Sequence, residues 1–131
     1  MKQELQQKFY DEFPGWFDNL QFGFEVNDGW FNLLWNLCVE LKKTGFGLSE
    51  EGASQVKEKF GSLRFYIYGG TDEQWKLIDE AEEASYTICE QCGKPSEIRK
   101  VDGWFYNMCD TCYKEYLENQ RKLFEKYSKK V

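Results

Sequence analysis

The chain has 131 residues, of which 41% are hydrophobic and 18% aromatic, and its formal net charge is −6. A chain of this length buries enough apolar surface for one cooperative domain and too little for two full ones. Histidine is absent, which excludes Ser–His and Cys–His nucleophilic systems within the chain and removes the commonest nitrogen ligand for metals.

The sequence predicts a protein of the reducing cytoplasm. It has no run of about 18 apolar residues, as a transmembrane helix would require. Its first residues, Met-Lys-Gln-Glu-Leu-Gln-Gln, lack the apolar core of a signal peptide. In a reducing compartment, paired cysteines bind metal more often than they form disulfides.

Two helices are predicted in the N-terminal part of the chain. The first spans residues 2–13 and ends at the helix breakers Pro14 and Gly15. The second spans residues 29–43, where apolar residues recur at steps of three and four and form one wide face. Cys38 lies on that face, where a buried core thiol is the ordinary interpretation and a redox or ligand role is the alternative.

A loop, a hairpin and a third helix follow. The loop is predicted over 45–53, and the strands over 54–60 and 63–68 are joined by a turn at 61–62. A helix over 72–88 begins with the capping-box sequence Thr-Asp-Glu-Gln. Its outer face carries an acidic stripe made of Glu73, Asp79, Glu80, Glu82 and Glu83. A solvated helix surface is the ordinary interpretation of such a stripe.

The most specific pattern is a pair of C-x2-C motifs, Cys89/Cys92 and Cys109/Cys112. Two thiolates three residues apart can both reach one ion when the backbone turns between them, and Gly93 gives the first pair that freedom. The two pairs therefore predict one structural Zn²⁺ per chain, closed because four thiolates leave no open position. An iron centre or a redox-active C-x2-C pair is the alternative.

The segment between the cysteine pairs predicts a second hairpin. Strands are expected over 97–101 and 104–108 with a type I′ turn at Asp102 and Gly103, and the second cysteine pair begins a helix. A knuckle, a hairpin and a helix in this order resemble a treble-clef zinc finger, and the resemblance covers residues 89–120.

We therefore predict an α+β fold. It consists of a small antiparallel hairpin or sheet packed with helices, plus a C-terminal treble-clef-like finger that holds its metal with four cysteines and ends in a helix. Residues 1–88 are expected to form the helical and hairpin core, and residues 89–131 the zinc finger with its helix, within one compact unit.

Three further motifs lie in order along the chain. They are GFEVNDGW at 23–30, QVKEKFGSLRF at 55–65 and CEQCG at 89–93. Together they are similar to a family of small proteins from bacteria and their phages and prophages, over residues 23–112. The resemblance implies a cytoplasmic accessory protein encoded by a phage, and it brings no catalytic residue with it.

These features predict a non-enzymatic, zinc-stabilised protein-interaction module. Its specific form would be a phage-encoded inhibitor or modulator of a host defence protein, with a homodimer as a further option. The chain contains no glycine-rich phosphate loop and no serine nucleophile motif, and its aromatic excess favours a protein partner. The alternative is a nucleic-acid-binding zinc-finger protein. No membrane partner is expected.

The candidate binding residues fall into three groups. The hairpin face offers Lys57, Lys59, Arg64, Tyr66 and Tyr68; the candidate exposed anchors are Tyr10, Trp16, Phe17 and Trp30; the acidic stripe offers Asp79, Glu80 and Glu83. Cations among aromatic rings suit single-stranded nucleic acid, although alternating charges also protect an ordinary edge strand. The acidic stripe could bind a basic protein surface by imitating a phosphate backbone.

Overall fold

The computed structural model describes residues 1–48 and 52–128. Within these ranges the chain has the predicted α+β fold, with four α-helices and two small sheets. The predicted loop over 45–53 lies partly outside the described residues. No helix in the described part of the chain is long and apolar enough to span a bilayer.

The strands lie between the helices along the chain, singly or in pairs. The helices are α1 (Gln3–Glu12), α2 (Phe31–Lys43), α3 (Asp72–Ser85) and α4 (Asp110–Ser128). The strands are β1 (Phe24–Glu25), β2 (Ala53–Lys59), β3 (Ser62–Ile67), β4 (Glu97–Val101) and β5 (Trp104–Met108). One sheet has the order β1-β2-β3 and the other pairs β4 with β5. A 3₁₀ turn, Asp28–Trp30, leads into α2.

The turn between β2 and β3 lies one residue earlier than predicted. β2 ends at Lys59 and β3 begins at Ser62, so the turn residues are Phe60 and Gly61. Both have positive φ values, 56° and 86°, as a type I′ turn requires. Bulky side chains rarely adopt this left-handed conformation, which is why the sequence pattern pointed to residues 61–62 instead.

Most aromatic residues of the N-terminal part lie in the core, and the candidate exposed anchors Trp16, Phe17 and Trp30 lie there too, so the prediction is wrong for these three. Trp16, Phe17 and Trp30 are at most 5% exposed, and Tyr10 is partly buried. Tyr10, Trp16 and Phe17 join a dense ring cluster around Phe9, whose centroid lies 4.9–6.4 Å from those of Phe13, Phe17, Phe24, Phe31 and Trp35. Trp30 belongs to the same core. Tilted and edge-to-face packing lets a small core hold more rings than a count of aromatic residues suggested.

Helix α3 covers the outer edge of β3. The backbone N–H of Leu63 donates to Ser85 Oγ at 2.9 Å, and that of Phe65 donates to Glu82 Oε2 at 3.0 Å. Glu82 therefore faces the sheet and does not belong to the exposed stripe where the sequence placed it. The capping box at the start of α3 is present as predicted. The side chains of Ser85 and Glu82 thus satisfy backbone donors that an open sheet edge would expose.

The carboxylate of Glu82 is expected to contribute to the pH dependence of the stability of the fold. Partial burial raises its pKa, although the Phe65 N–H and Arg64 oppose the shift. A raised pKa stabilises the fold at acid pH, and this contribution is lost as the pH rises through the folded-state value. We expect Glu82→Gln to keep the bond to Phe65, to melt no lower than the wild type at pH 7, and to show weaker pH dependence of the melting temperature above pH 4.5.

The matched control is Glu82→Ala, which removes the acceptor and leaves the Phe65 N–H without a partner. We expect it to lower the free energy of unfolding by about 1 kcal/mol. Thermal melts of both variants across this pH range make the comparison. Equal destabilisation by glutamine and alanine would show that the hydrogen bond is not what Glu82 contributes.

Candidate functional site

The four paired cysteines converge on one point. Their Sγ atoms all lie within 4.8 Å of one another, and the Cys92 and Cys109 sulfurs are 3.6 Å apart. A tetrahedral ion with metal–sulfur bonds of about 2.3 Å places its sulfurs about 3.8 Å apart. The cluster therefore has the size and donor set of a four-thiolate metal site.

Two different local structures bring the sulfurs together. In the first knuckle, Gly93 N–H donates to Cys89 O at 2.9 Å, and Cys89 N–H donates to Lys94 O at 2.8 Å. Gly93 has a φ of 81°, which only glycine adopts without strain. In the second, the Cys112 N–H points at Cys109 Sγ from 3.5 Å and lowers the pKa of Cys109 to about 7.

The elements around the cysteines form the predicted finger. The first knuckle is followed by the β4–β5 hairpin, whose bounds match the prediction, and then by α4. Both residues of the turn, Asp102 and Gly103, have positive φ values. We use "finger" for residues 89–128. Its order of knuckle, hairpin and helix is a zinc-finger-like arrangement.

Backbone contacts join the first knuckle to the entry of α2. Gly29 N–H donates to Glu90 O at 2.8 Å, and Trp30 Nε1 donates to Ile88 O at 2.8 Å. The backbone and side-chain amides of Asn27 both donate to Glu90 Oε2, while burial raises the pKa of Glu90 to about 7. The knuckle is thus docked on the main core by directed hydrogen bonds.

Asn107 makes the second connection and was not predicted. This residue of β5 is 1% exposed, and its Nδ2 donates to Gly61 O at 2.9 Å and to Ser85 O at 2.6 Å. A buried side-chain amide with backbone partners fixes the relative position of the chains that it joins. An asparagine in a short strand carries no sequence signal for this role, because its partners are remote in the chain.

The structure forms the predicted hairpin face from Lys57, Arg64, Tyr66 and Tyr68, but it places Lys59 apart from them. Lys57 lies opposite Arg64 across the β2–β3 ladder, and Arg64 Nη1 bonds to Ser62 Oγ. Tyr66 and Tyr68 are exposed. Lys59, at the end of β2, instead places its Nζ 5.5 Å from the ring of Phe60. The three acidic candidates on α3, Asp79, Glu80 and Glu83, are exposed as expected.

A second group of exposed aromatic residues was missed by the sequence reasoning. Phe60, Trp104 and Phe105 are 62%, 71% and 39% exposed, and they lie where the turns of the two hairpins meet. Together with Glu58, Lys59 and Gly103 they line a cleft of about 320 Å³. Their position beside two tight turns was visible in the sequence, but the contact between the turns was not.

Comparison with known proteins gives one kind of relative. Two proteins named tRNA uridine(34) hydroxylase, from Prochlorococcus marinus subsp. pastoris and from P. marinus strain MIT 9515, are each 25% identical to the chain over 93% and 95% of its length. The chain spans less than half the length of these relatives, 45% and 46%. No family model matches the chain, and no solved structure does.

These relatives correct the predicted function. The interpretation as a non-enzymatic, phage-encoded inhibitor is wrong, because proteins that match nearly the whole chain are named as an enzyme. The absence of histidine and of a phosphate loop excludes only the chemistries that need them, and so it did not exclude an enzyme. The predicted homodimer, the protein partner and the division into two domains stay predictions.

Proposed function

We propose that this protein is a tRNA-modifying enzyme component that takes part in hydroxylating a tRNA uridine. The observation that carries this proposal is the alignment of three relatives with the same printed name over 93–95% of the chain. The stretch of this chain that aligns with the relatives includes its four-cysteine site and both hairpins. tRNA is therefore the proposed binding partner, and the cytoplasm, where thiol ligands stay reduced, is the proposed location.

We also propose that the four cysteines hold Zn²⁺. Thiolate ligands in a tetrahedral arrangement are the donor set that structural zinc prefers, and the sulfur separations support that geometry. With all four positions filled by protein, the ion would have no place for substrate. Its contribution would be to hold the first knuckle against the start of α4, and so to keep the β4–β5 hairpin in position.

Deleting the gene in the organism that encodes it tests the tRNA proposal. We expect mass spectrometry of digested tRNA to show loss of the hydroxylated nucleoside at position 34, the position given in the relatives' name. A plasmid with the wild-type gene should restore it, and one with Cys89→Ser should restore little. If hydroxylation is unchanged after deletion, the proposal is wrong.

A further inference from the structure

Two of the exposed rings in the cleft between the hairpin turns contact each other, and a buried hydrogen bond joins the two hairpins beside them. Phe60 and Phe105 contact each other edge to face, with centroids 5.8 Å apart and an interplanar angle of 80°. Behind them, Asn107 Nδ2 is bonded to Gly61 O at 2.9 Å. This buried hydrogen bond fixes the turn that carries Phe60 to the β4–β5 hairpin. The rings of Phe60 and Phe105 therefore form a preorganised surface.

The backbone at Phe60 points to a role for its ring outside the fold. Phe60 is exposed, yet it occupies a left-handed position with a φ of 56°. Asparagine or glycine would fit this type I′ turn with less strain. A strained bulky residue whose ring is mostly in solvent gains little from burial, and strain of this kind is concentrated at functional positions.

The charges around the rings favour an anionic occupant on one side. Lys59 Nζ lies 5.5 Å from the Phe60 ring, and Lys100 Nζ lies 5.6 Å from the Phe105 ring. The residues of the two hairpins, 53–67 and 97–108, carry five basic and three acidic side chains in a chain with a net charge of −6. Glu58 lines both this cleft and the neighbouring groove beyond Trp104, which Glu25 and Glu90 also line, so these carboxylates disfavour phosphate on that side.

We propose that this cleft binds unpaired nucleotides of RNA, with bases stacked on Phe60 and Trp104 and the phosphates on the side of Lys59 and Lys100. Aromatic rings with adjacent cations are the elements by which proteins hold single strands without reading their sequence. The choice of RNA as occupant rests on the proposed function. The stacking surface itself rests on the exposure, the strain and the charges described above.

Fluorescence anisotropy with a short, unstructured, uridine-rich RNA and with whole tRNA tests this proposal. We expect Phe60→Asn and Trp104→Ala each to weaken binding of the unstructured RNA about tenfold, the effect of losing one stacked base. Because asparagine suits the turn, Phe60→Asn should melt no lower than the wild type. Phe124→Asn, which removes an equally exposed ring from α4, is the control and should bind like the wild type.

The outcomes separate this proposal from the proposed function. Wild-type RNA affinity in both cleft variants would overturn the RNA site, while the gene-deletion result would still decide the role in tRNA hydroxylation. A large loss of thermal stability in Phe60→Asn would show that the ring is structural, and would also overturn it. The RNA site would also be overturned if the cleft variants lost self-association, measured by light scattering, while their RNA binding stayed unchanged. The cleft would then be a contact with another protein chain.

Discussion

Replacing Cys89 with serine is expected to remove the bound metal and to unfold the finger. Cys89 is fully buried, and its backbone makes both hydrogen bonds that shape the first knuckle. Zinc contributes about 10–16 kcal/mol to the folding of isolated finger peptides. Losing one ligand of four should therefore cost at least about 3 kcal/mol, a large part of the stability of a small domain, about 5–15 kcal/mol.

The effect should extend beyond the finger. Asn107 bonds to the turn of the β2–β3 hairpin and to the end of α3, and Glu90 O accepts from Gly29 N–H just before α2. When the finger unfolds, these partners lose their bonds together. We therefore expect one cooperative melt at a lower temperature in Cys89→Ser, and the same change when a chelator removes the metal from the wild type.

The control for Cys89→Ser is Cys38→Ala. Cys38 is also fully buried, but it lies in α2, and burial raises the pKa of its thiol, as expected for an inert core residue. Elemental analysis should find one metal ion per chain in the wild type and in Cys38→Ala, and much less in Cys89→Ser. Full metal content with an unchanged melt in Cys89→Ser would contradict a structural site.

Gly29→Ala is expected to have the second large effect, although Gly29 is outside the finger. A Cβ at this position would lie 2.2 Å from Cys89 O, 2.5 Å from Glu90 O and 2.6 Å from Cys92 N. These are backbone atoms of the knuckle, so no side chain can rotate away. The knuckle has to move off the start of α2, and we expect a loss of about 3 kcal/mol, the upper part of the range for overpacked sites.

The comparison variant for Gly29→Ala is Gly103→Ala, because a Cβ at Gly103 would contact no other atom. A Cβ at Gly103 meets nothing within 4 Å, but its φ of 83° strains any other residue. We expect Gly103→Ala to lose about 1 kcal/mol, the cost of placing an L-residue in the left-handed region, and to keep its metal, whereas Gly29→Ala should lose metal as well as stability. Metal content and chemical denaturation measure the two effects. Equal metal retention would show that the knuckle does not depend on its fit against Gly29.

Much of the fold could be predicted because the relevant signals are local. Helical periodicity, the capping box and the Asp102–Gly103 turn each depend on residues within a few positions of one another, and they placed the helices and β4–β5 correctly. The C-x2-C spacing likewise identified all four sulfurs of the metal site. Thiolate geometry constrains sequence strongly, since each pair must reach the same ion.

What the sequence did not predict depends on contacts between remote segments. β1 has two residues, and it is a strand only because Phe24 and Glu25 pair with β2. Trp30 was one of the candidate exposed anchors, but it is buried and its indole N–H donates to Ile88 O, a partner 58 positions away. Glu82 likewise has the spacing of an exposed helix residue and becomes a sheet partner only because α3 lies along β3.

The cover that α3 gives to β3 also limits how copies of this protein can associate. A strand from another chain extends a sheet only where backbone N–H groups are free to donate to it and carbonyl groups are free to accept from it. Along β3, those of Leu63 and Phe65 are already taken by Ser85 and Glu82, and β1 at the opposite side offers only two residues. Growth into fibrils by strand addition is therefore disfavoured at both edges of this sheet, and a homodimer that used this sheet would have to form through its side chains.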